Sequence, residues 1–293
     1  MHHTVNRALH LQEQIAYALF LTLGVINIVL VIMICIYLLL AGLPAIGEIG
    51  LADFMFGTTW ASTASTPLFG ILPFILTSFC GTLGAIAIGM PLGFFSAVYL
   101  SFFAGERLRQ VALGFVDLLA GIPSVIFGFM GMIVLIPLLQ AVFGLPDGAS
   151  MLAAILVLSI MILPSIIKVT CVALESVPCE YRDGSLALGA TETETYFRVV
   201  VPAARSGIAA AFVLGVGRAI GEAMAVMMVS GNVANMPGLF DSVRFLTSAV
   251  ASEMSYSQGL QKEALFSIAL VLFFFILLIN ATLNLLLKKG LRK

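Results

Sequence analysis

Between Glu13 and Glu48 the chain carries no aspartate, glutamate, lysine or arginine, and residues 15–41 fill that interval with leucine, isoleucine, valine and phenylalanine. A helix needs about 20 mainly apolar residues to cross roughly 30 Å of hydrocarbon, so this stretch reads as a membrane span. A cleaved leader has an apolar region of only about 7–15 residues, which makes a permanent anchor the better reading. The same ruler applied along the chain places further spans at residues 70–102, 118–143, 149–172, 206–230 and 264–287. Continuous apolar runs, rather than alternating segments of about 10 residues, select helices over barrel strands. The expectation is an all-α integral membrane protein with six transmembrane helices.

Composition agrees. Hydrophobic residues make up 61% of the 293 and charged ones 10%, against roughly 25% charged in a soluble domain. That excludes a water-soluble globule, and a net charge of -1 excludes both a disordered chain and a nucleic-acid binder. Residues 57–67, GTTWASTASTP, are too rich in Ser and Thr for lipid and read as part of an outer loop over 42–69, with Trp60 as an interfacial anchor. Pro73, Pro91, Pro123, Pro137 and Pro164 fall inside spans and predict bends, which membrane helices tolerate when neighbours re-satisfy the backbone. The 27 glycines suit close helix packing.

Lysine and arginine favour cytoplasmic loops. Arg7, Arg107, Arg109, Lys168, Arg182, Arg198, Arg205, Lys288, Lys289, Arg292 and Lys293 fall on one side, and Arg244 and Lys262 on the other. Both termini are therefore expected in the cytoplasm, as a tail over 1–14 and a basic tail over 288–293. Asp117 and Lys168, at the inner ends of their spans, read as boundary residues whose side chains reach the headgroups.

Several chemistries are missing. No Gly-Lys pair occurs, so a phosphate-cradling P-loop is absent. GVGRAIG at 215–221 lacks both the spacing and the preceding strand of a dinucleotide fingerprint. His2, His3 and His10 all lie in the N-terminal tail, which leaves no histidine metal cage. Cys35, Cys80, Cys171 and Cys179 are read as small apolar residues and no disulfide is expected. No catalytic residue and no metal site is assigned, and no nucleophile and base pair stands out in the spans.

Two places do stand out. Arg218 and Glu222 lie within the fifth span, although a charge at a helix centre costs about 2.5–3.5 kcal/mol on insertion scales. At i and i+4 they share a helical face, so Glu222 is expected to orient Arg218, whose planar fork suits oxyanions. The Gly121-Ile122-Pro123-Ser124 break either opens backbone N–H groups and the Ser124 hydroxyl to the same path or serves packing alone. The second place is residues 173–205, a mixed segment bracketed by Pro178 and Pro202 and divided by Gly189 into two short helices. Such helices are marginal alone, so Leu186, Leu188, Phe197 and Val199 must bury against this chain's own helix ends or against another subunit.

In that segment Asp183-Gly184-Ser185, three residues, Gly189, nine residues, then Val199-Val200-Val201-Pro202 resembles the EAA loop of bacterial ABC importer permeases, with Asp for Glu, Gly for the first Ala and Ser for the second. DLLAGIPSVIFG (117–128), EYRDGSLALGATETETYFRVVVPAA (180–204), GVGRAIGEAMAVMMVSGN (215–232) and the run at 246–273 are similar to the C-type (PstC-like) permeases of phosphate importers, covering most of 68–287. The resemblance implies a type I importer (MetI-like) permease core over 70–287. It implies that Asp183, Gly184, Ser185, Gly189 and Pro202 form a coupling helix docked on an ATPase subunit that holds ATP and Mg. Further expected partners are a related A-type permease completing a heterodimer, two ATPase subunits, a periplasmic phosphate-binding protein and the lipid of the cytoplasmic (inner) membrane. Arg218, Glu222 and Ser124 are the expected substrate-path residues. The rival readings are a permease for another oxyanion and a gradient-driven anion transporter with Glu222 as proton carrier.

Overall fold

The computed structural model describes residues 2–291. Met1, Arg292 and Lys293 lie outside the described residues, as do the side chains of the three histidines and of Arg7, Lys288 and Lys289, so part of the basic set behind the expected orientation is not described. In chain order the helices are α1 (His2–Ile49), α2 (Leu51–Phe56), α3 (Leu72–Phe102), α4 (Glu106–Gly121), α5 (Ser124–Met130), α6 (Ile136–Phe143), α7 (Met151–Glu175), α8 (Cys179–Ala187), α9 (Glu192–Thr195), α10 (Val201–Ala203), α11 (Arg205–Gly221), α12 (Met224–Val229), α13 (Leu246–Glu253) and α14 (Gly259–Leu291). A two-stranded antiparallel ribbon, β1 (Trp60–Ala61) with β2 (Leu68–Phe69), sits before α3.

Among the described residues five helices are long and apolar enough to cross a membrane, and a sixth is reached by joining Glu192–Ala203 to Arg205–Gly221, which meet at 70°. The segment expected as one span over 206–230 is thus interrupted: α11 stops at Gly221 and α12 restarts at Met224. The expected third span is likewise divided, α4 ending at Gly121 and the apolar helix running from Ser124 to Phe143. Much of the expected loop over 42–69 is ordered, since α1 continues through Pro44 to Ile49 and α2 and the ribbon follow. Ser267 on α14 donates to the Gly42 carbonyl at 2.5 Å and holds the end of α1 in place.

α7 is the most enclosed span, and α3 lies along it. Glycines make that approach possible: a Cβ on Gly84, Gly89 or Gly93 would fall 2.6–2.7 Å from Ile155, Ile162 or Ile166 of α7. In lipid, where no hydrophobic force draws helices together, such small-residue contacts supply van der Waals packing. Two π-helical turns, Gly131–Leu135 and Tyr196–Val200, each precede a proline by two residues, Pro137 and Pro202. A proline cannot donate to the carbonyl four residues back, and a wider turn is one way to rewind the ladder around it. Among the described residues of α1 only Gly42 and Ala45 are buried, so most of this helix faces outward.

Candidate functional site

The site is built on the interruption between α11 and α12. Glu222 takes an extended backbone (φ -75°, ψ 127°), and its carboxylate accepts from the Ala225 N–H at 3.0 Å. A carboxylate is favoured at a helix N-terminus, where backbone N–H groups lack partners. Thr247, at the start of α13, donates its hydroxyl to the Glu222 carbonyl at 2.7 Å and satisfies the other side of the break. α13 therefore reaches back among the spans: Phe245 lies against Gly81 of α3, and Ser78 of α3 accepts from the Leu246 N–H.

This geometry overturns the expectation that Arg218 and Glu222 pair on one helical face. That spacing brings side chains together only in a continuous helix, and the chain leaves the helix at Glu222. Among the described residues no ion pair joins the two. Arg218 instead donates from Nη1 to the Ser165 hydroxyl at 3.3 Å. Ser165 was not singled out from sequence; its signal is slight, a lone hydroxyl beside Pro164 in an apolar helix.

Ser124 opens α5, and the Gly121–Pro123 break is present, with Ile122 extended (φ -71°, ψ 126°). α5 and α12 pack closely, since a Cβ on Gly128 would fall 2.7 Å from Ala225 Cα, and one on Gly131 would fall 2.7 Å from a Val229 methyl. Ser124 lies one helical turn before Gly128 on α5, and among the described residues no hydrogen bond joins it to Arg218.

The segment over 173–205 forms a separate surface. α8 has no buried residue, and Leu188 is 91% exposed. Phe197 is exposed too, and Leu186 and Val199 are only half-buried, so the expected burial of these four residues is not met within the chain. Thr195, Tyr196 and Val200 are buried in their place, since Thr195 bonds Ser185, Tyr196 stacks on Phe102, and Tyr196 and Val200 pack in a cluster with Val98 and Leu174. Gly189 has φ +86° and separates α8 from α9 as expected. Thr191 and Glu194 form a capping box at α9, and hydrogen bonds from the Thr191 N–H and hydroxyl hold the Glu194 carboxyl below its ordinary pKa. Asp183 and Gly184 are exposed on α8, while Ser185 hydrogen bonds Thr195 at 2.9 Å.

Residues 89–292 match the family described as binding-protein-dependent transport system inner membrane component. The chain belongs to this family. It is 40% identical over 235 residues to the probable ABC transporter permease YqgH of Bacillus subtilis, covering 78% of this chain and 76% of that one. It is 36% identical over 230 residues to the phosphate transport system permease PstC of Pasteurella multocida, covering 72% and 70%. A chain of the MetNI methionine ABC transporter, solved in inward-facing conformations, superposes with a TM-score of 0.56 at 19% identity over 75% of this chain and 94% of that one. That likeness shows the MetI-like fold.

As an ABC importer permease, the protein is a multi-pass membrane transport component rather than an enzyme, and it works with ATPase and substrate-binding partners. On this permease Lys168 and Asp117 form an ion pair between α7 and α4, and Arg109 pairs with Glu175 nearer the end of α7. Trp60, expected as an interfacial anchor, has partners within the chain. It is half-buried, packs edge-on against Phe69 at 5.4 Å, and donates its indole N–H to Glu253. Glu253 is itself buried and also accepts from Arg244, Gln261 and Ser62. This network ties the β1 strand and its turn to α13 and α14.

Proposed function

We propose that this permease translocates inorganic phosphate inward across the cytoplasmic membrane, as one half of a heterodimeric pore with a related A-type permease. Phosphate arrives from a periplasmic binding protein, and two ATPase subunits, which bind ATP and Mg, drive the cycle through α8. Both termini lie in the cytoplasm. The observation that carries the substrate assignment is Arg218: a guanidinium at a break in a membrane helix, held by a neutral hydroxyl rather than neutralised by a carboxylate. Arginine's fixed donor fork matches phosphate oxygens, and Ser165 leaves most of those donors free. Similarity to PstC phosphate transport permeases supports the same substrate. Glu222 acts on the site through structure, holding α12 in place beyond the break, and Ser124 adds a hydroxyl at the start of α5.

Radiolabelled uptake into proteoliposomes containing the assembled complex tests this. Uptake should be ATP-dependent, inhibited by excess unlabelled phosphate and little affected by sulfate, molybdate or phosphonates. Arg218→Ala should abolish it with the complex still assembled. Normal uptake by that variant removes Arg218 from the path, and equal competition by sulfate removes phosphate as the specific substrate.

A further inference from the structure

α8 is the surface offered to the ATPase, yet it has no buried residue. A groove of about 480 Å³, lined by Val172, Ser176, Tyr181, Ala203 and Ser206 among others, lies between it and the ends of α7 and α11. Besides its short backbone link to α7 over 176–178, α8 is joined to the membrane helices through side-chain attachments to the next segment, and these converge. Arg182 bonds Glu192 at 3.2 Å, Ser185 bonds Thr195 at 2.9 Å, and the Arg182 guanidinium lies over the Tyr196 ring at 5.6 Å.

Tyr196 is where these attachments enter the membrane domain. Of the three aromatic residues in 179–203, Tyr181 and Phe197 are exposed, and Tyr196 is 4% exposed. Its ring stacks on Phe102, the last residue of α3, at 4.0 Å between centroids and 11° between planes, and meets Phe103 edge-on at 5.7 Å. The buried cluster around it draws Val98 from α3, Leu174 from α7 and Ile208 from α11. Those are the helices that carry the site, since α7 bears Ser165 and α11 bears Arg218. Tyr196 also begins a π turn, a distortion that recurs at functional positions because it can be reset without unfolding the helix.

The geometry points to Tyr196 as the residue that transmits displacement of α8 to the membrane helices, through the stack Arg182–Tyr196–Phe102. α3 is seated on α7 along its glycine contacts, so movement applied at Phe102 shifts the pair together. Tyr196 is a positioning residue and touches neither nucleotide nor substrate. The inference rests on α8 being the ATPase-docking helix.

The test uses the complete complex in proteoliposomes, with ATP hydrolysis and phosphate uptake measured together. Tyr196→Leu keeps an apolar side chain in the cluster while removing the stack; it should retain the ATPase subunits and hydrolyse ATP, with phosphate moved per ATP reduced about tenfold. Tyr196→Phe keeps both ring contacts and should transport normally. Phe102→Leu removes the stack from the other side and should reproduce the Tyr196→Leu phenotype with residue 196 unchanged. Normal transport per ATP in Tyr196→Leu or Phe102→Leu overturns the relay, as does loss of assembly in both. Leu188→Glu, on the exposed face of α8, tests the docking on which the relay rests: it should release the ATPase. Full retention of a coupled ATPase in that variant overturns the docking reading, irrespective of how the Tyr196 and Phe102 variants behave.

Discussion

The contact between α5 and α12 makes a demanding prediction, because a single methyl group decides it. A Cβ built on Gly128 lies 2.7 Å from Ala225 Cα, 3.1 Å from Ala225 O and 3.0 Å from Met228 Sδ, where ordinary contact begins near 3.4 Å. The methionine can swing aside, but the α12 backbone cannot. Gly128→Ala must therefore push the two helices apart by about 0.7 Å, and overpacking of this kind costs roughly 1–3 kcal/mol. Gly24→Ala is the matching control, since a Cβ there meets nothing within 4 Å; in water the same exchange within a helix gains about 0.5–1 kcal/mol. Chemical unfolding of the purified permease in detergent should show Gly128→Ala destabilised by that 1–3 kcal/mol range and Gly24→Ala unchanged or slightly stabilised. Because α12 is capped by Glu222 at the break, uptake should also fall in Gly128→Ala. Equal stability and equal uptake for the two variants would refute both the close approach and its link to the site.

Three further expectations follow from other parts of the molecule. Gly189→Val forces a branched side chain into φ +86° with nothing nearby to clash, so the cost is backbone strain of about 1–2 kcal/mol. Co-purification should show weakened ATPase retention while Gly189→Asn stays near normal; identical retention by both would show that the left-handed turn is not needed. Glu253→Ala leaves Arg244, which pairs with it at 2.5 Å and whose side chain is 16% exposed, without its counter-charge, and unfolding should register a loss of about 2–3 kcal/mol, short of the cost of breaking a fully buried pair and above that for Glu253→Gln; a loss below that of an exposed pair would contradict the network. The Glu194 carboxyl has its pKa lowered by Thr191, so its contribution to the α9 cap is complete above the ordinary carboxylate range and is lost as pH falls through the lowered value. Amide protection over 191–195 should hold from neutral to mildly acidic pH and decline only in acid, and a decline near neutrality would count against the box.

Much of this could be read from the chain alone, for identifiable reasons. Absence of charge over a membrane-length interval depends on composition along one segment, so the spans at 15–41, 70–102 and 149–172 were legible. The break at Gly121–Pro123 and the division at Gly189 were legible because glycine and proline act on their own backbone. Pairings between distant segments were not. Ser165 meets Arg218 across 53 residues and Glu253 meets Trp60 across 193, and no local pattern records either.

Glu222 marks the division most clearly. Sequence by itself determined that this is a helical membrane protein with two charges, Arg218 and Glu222, in an apolar stretch and a mixed segment over 173–205; those properties follow from solvent preference and local spacing. Tertiary structure decided that the helix stops at Gly221, where the Thr247 hydroxyl from α13 bonds the Glu222 carbonyl while the Glu222 carboxylate caps α12 at the Ala225 N–H. It likewise decided that Tyr196, rather than Leu188 or Phe197, enters the core. The Phe102 ring at the end of α3 supplies the stacking surface that Tyr196 takes, and no local pattern in the sequence records that pairing.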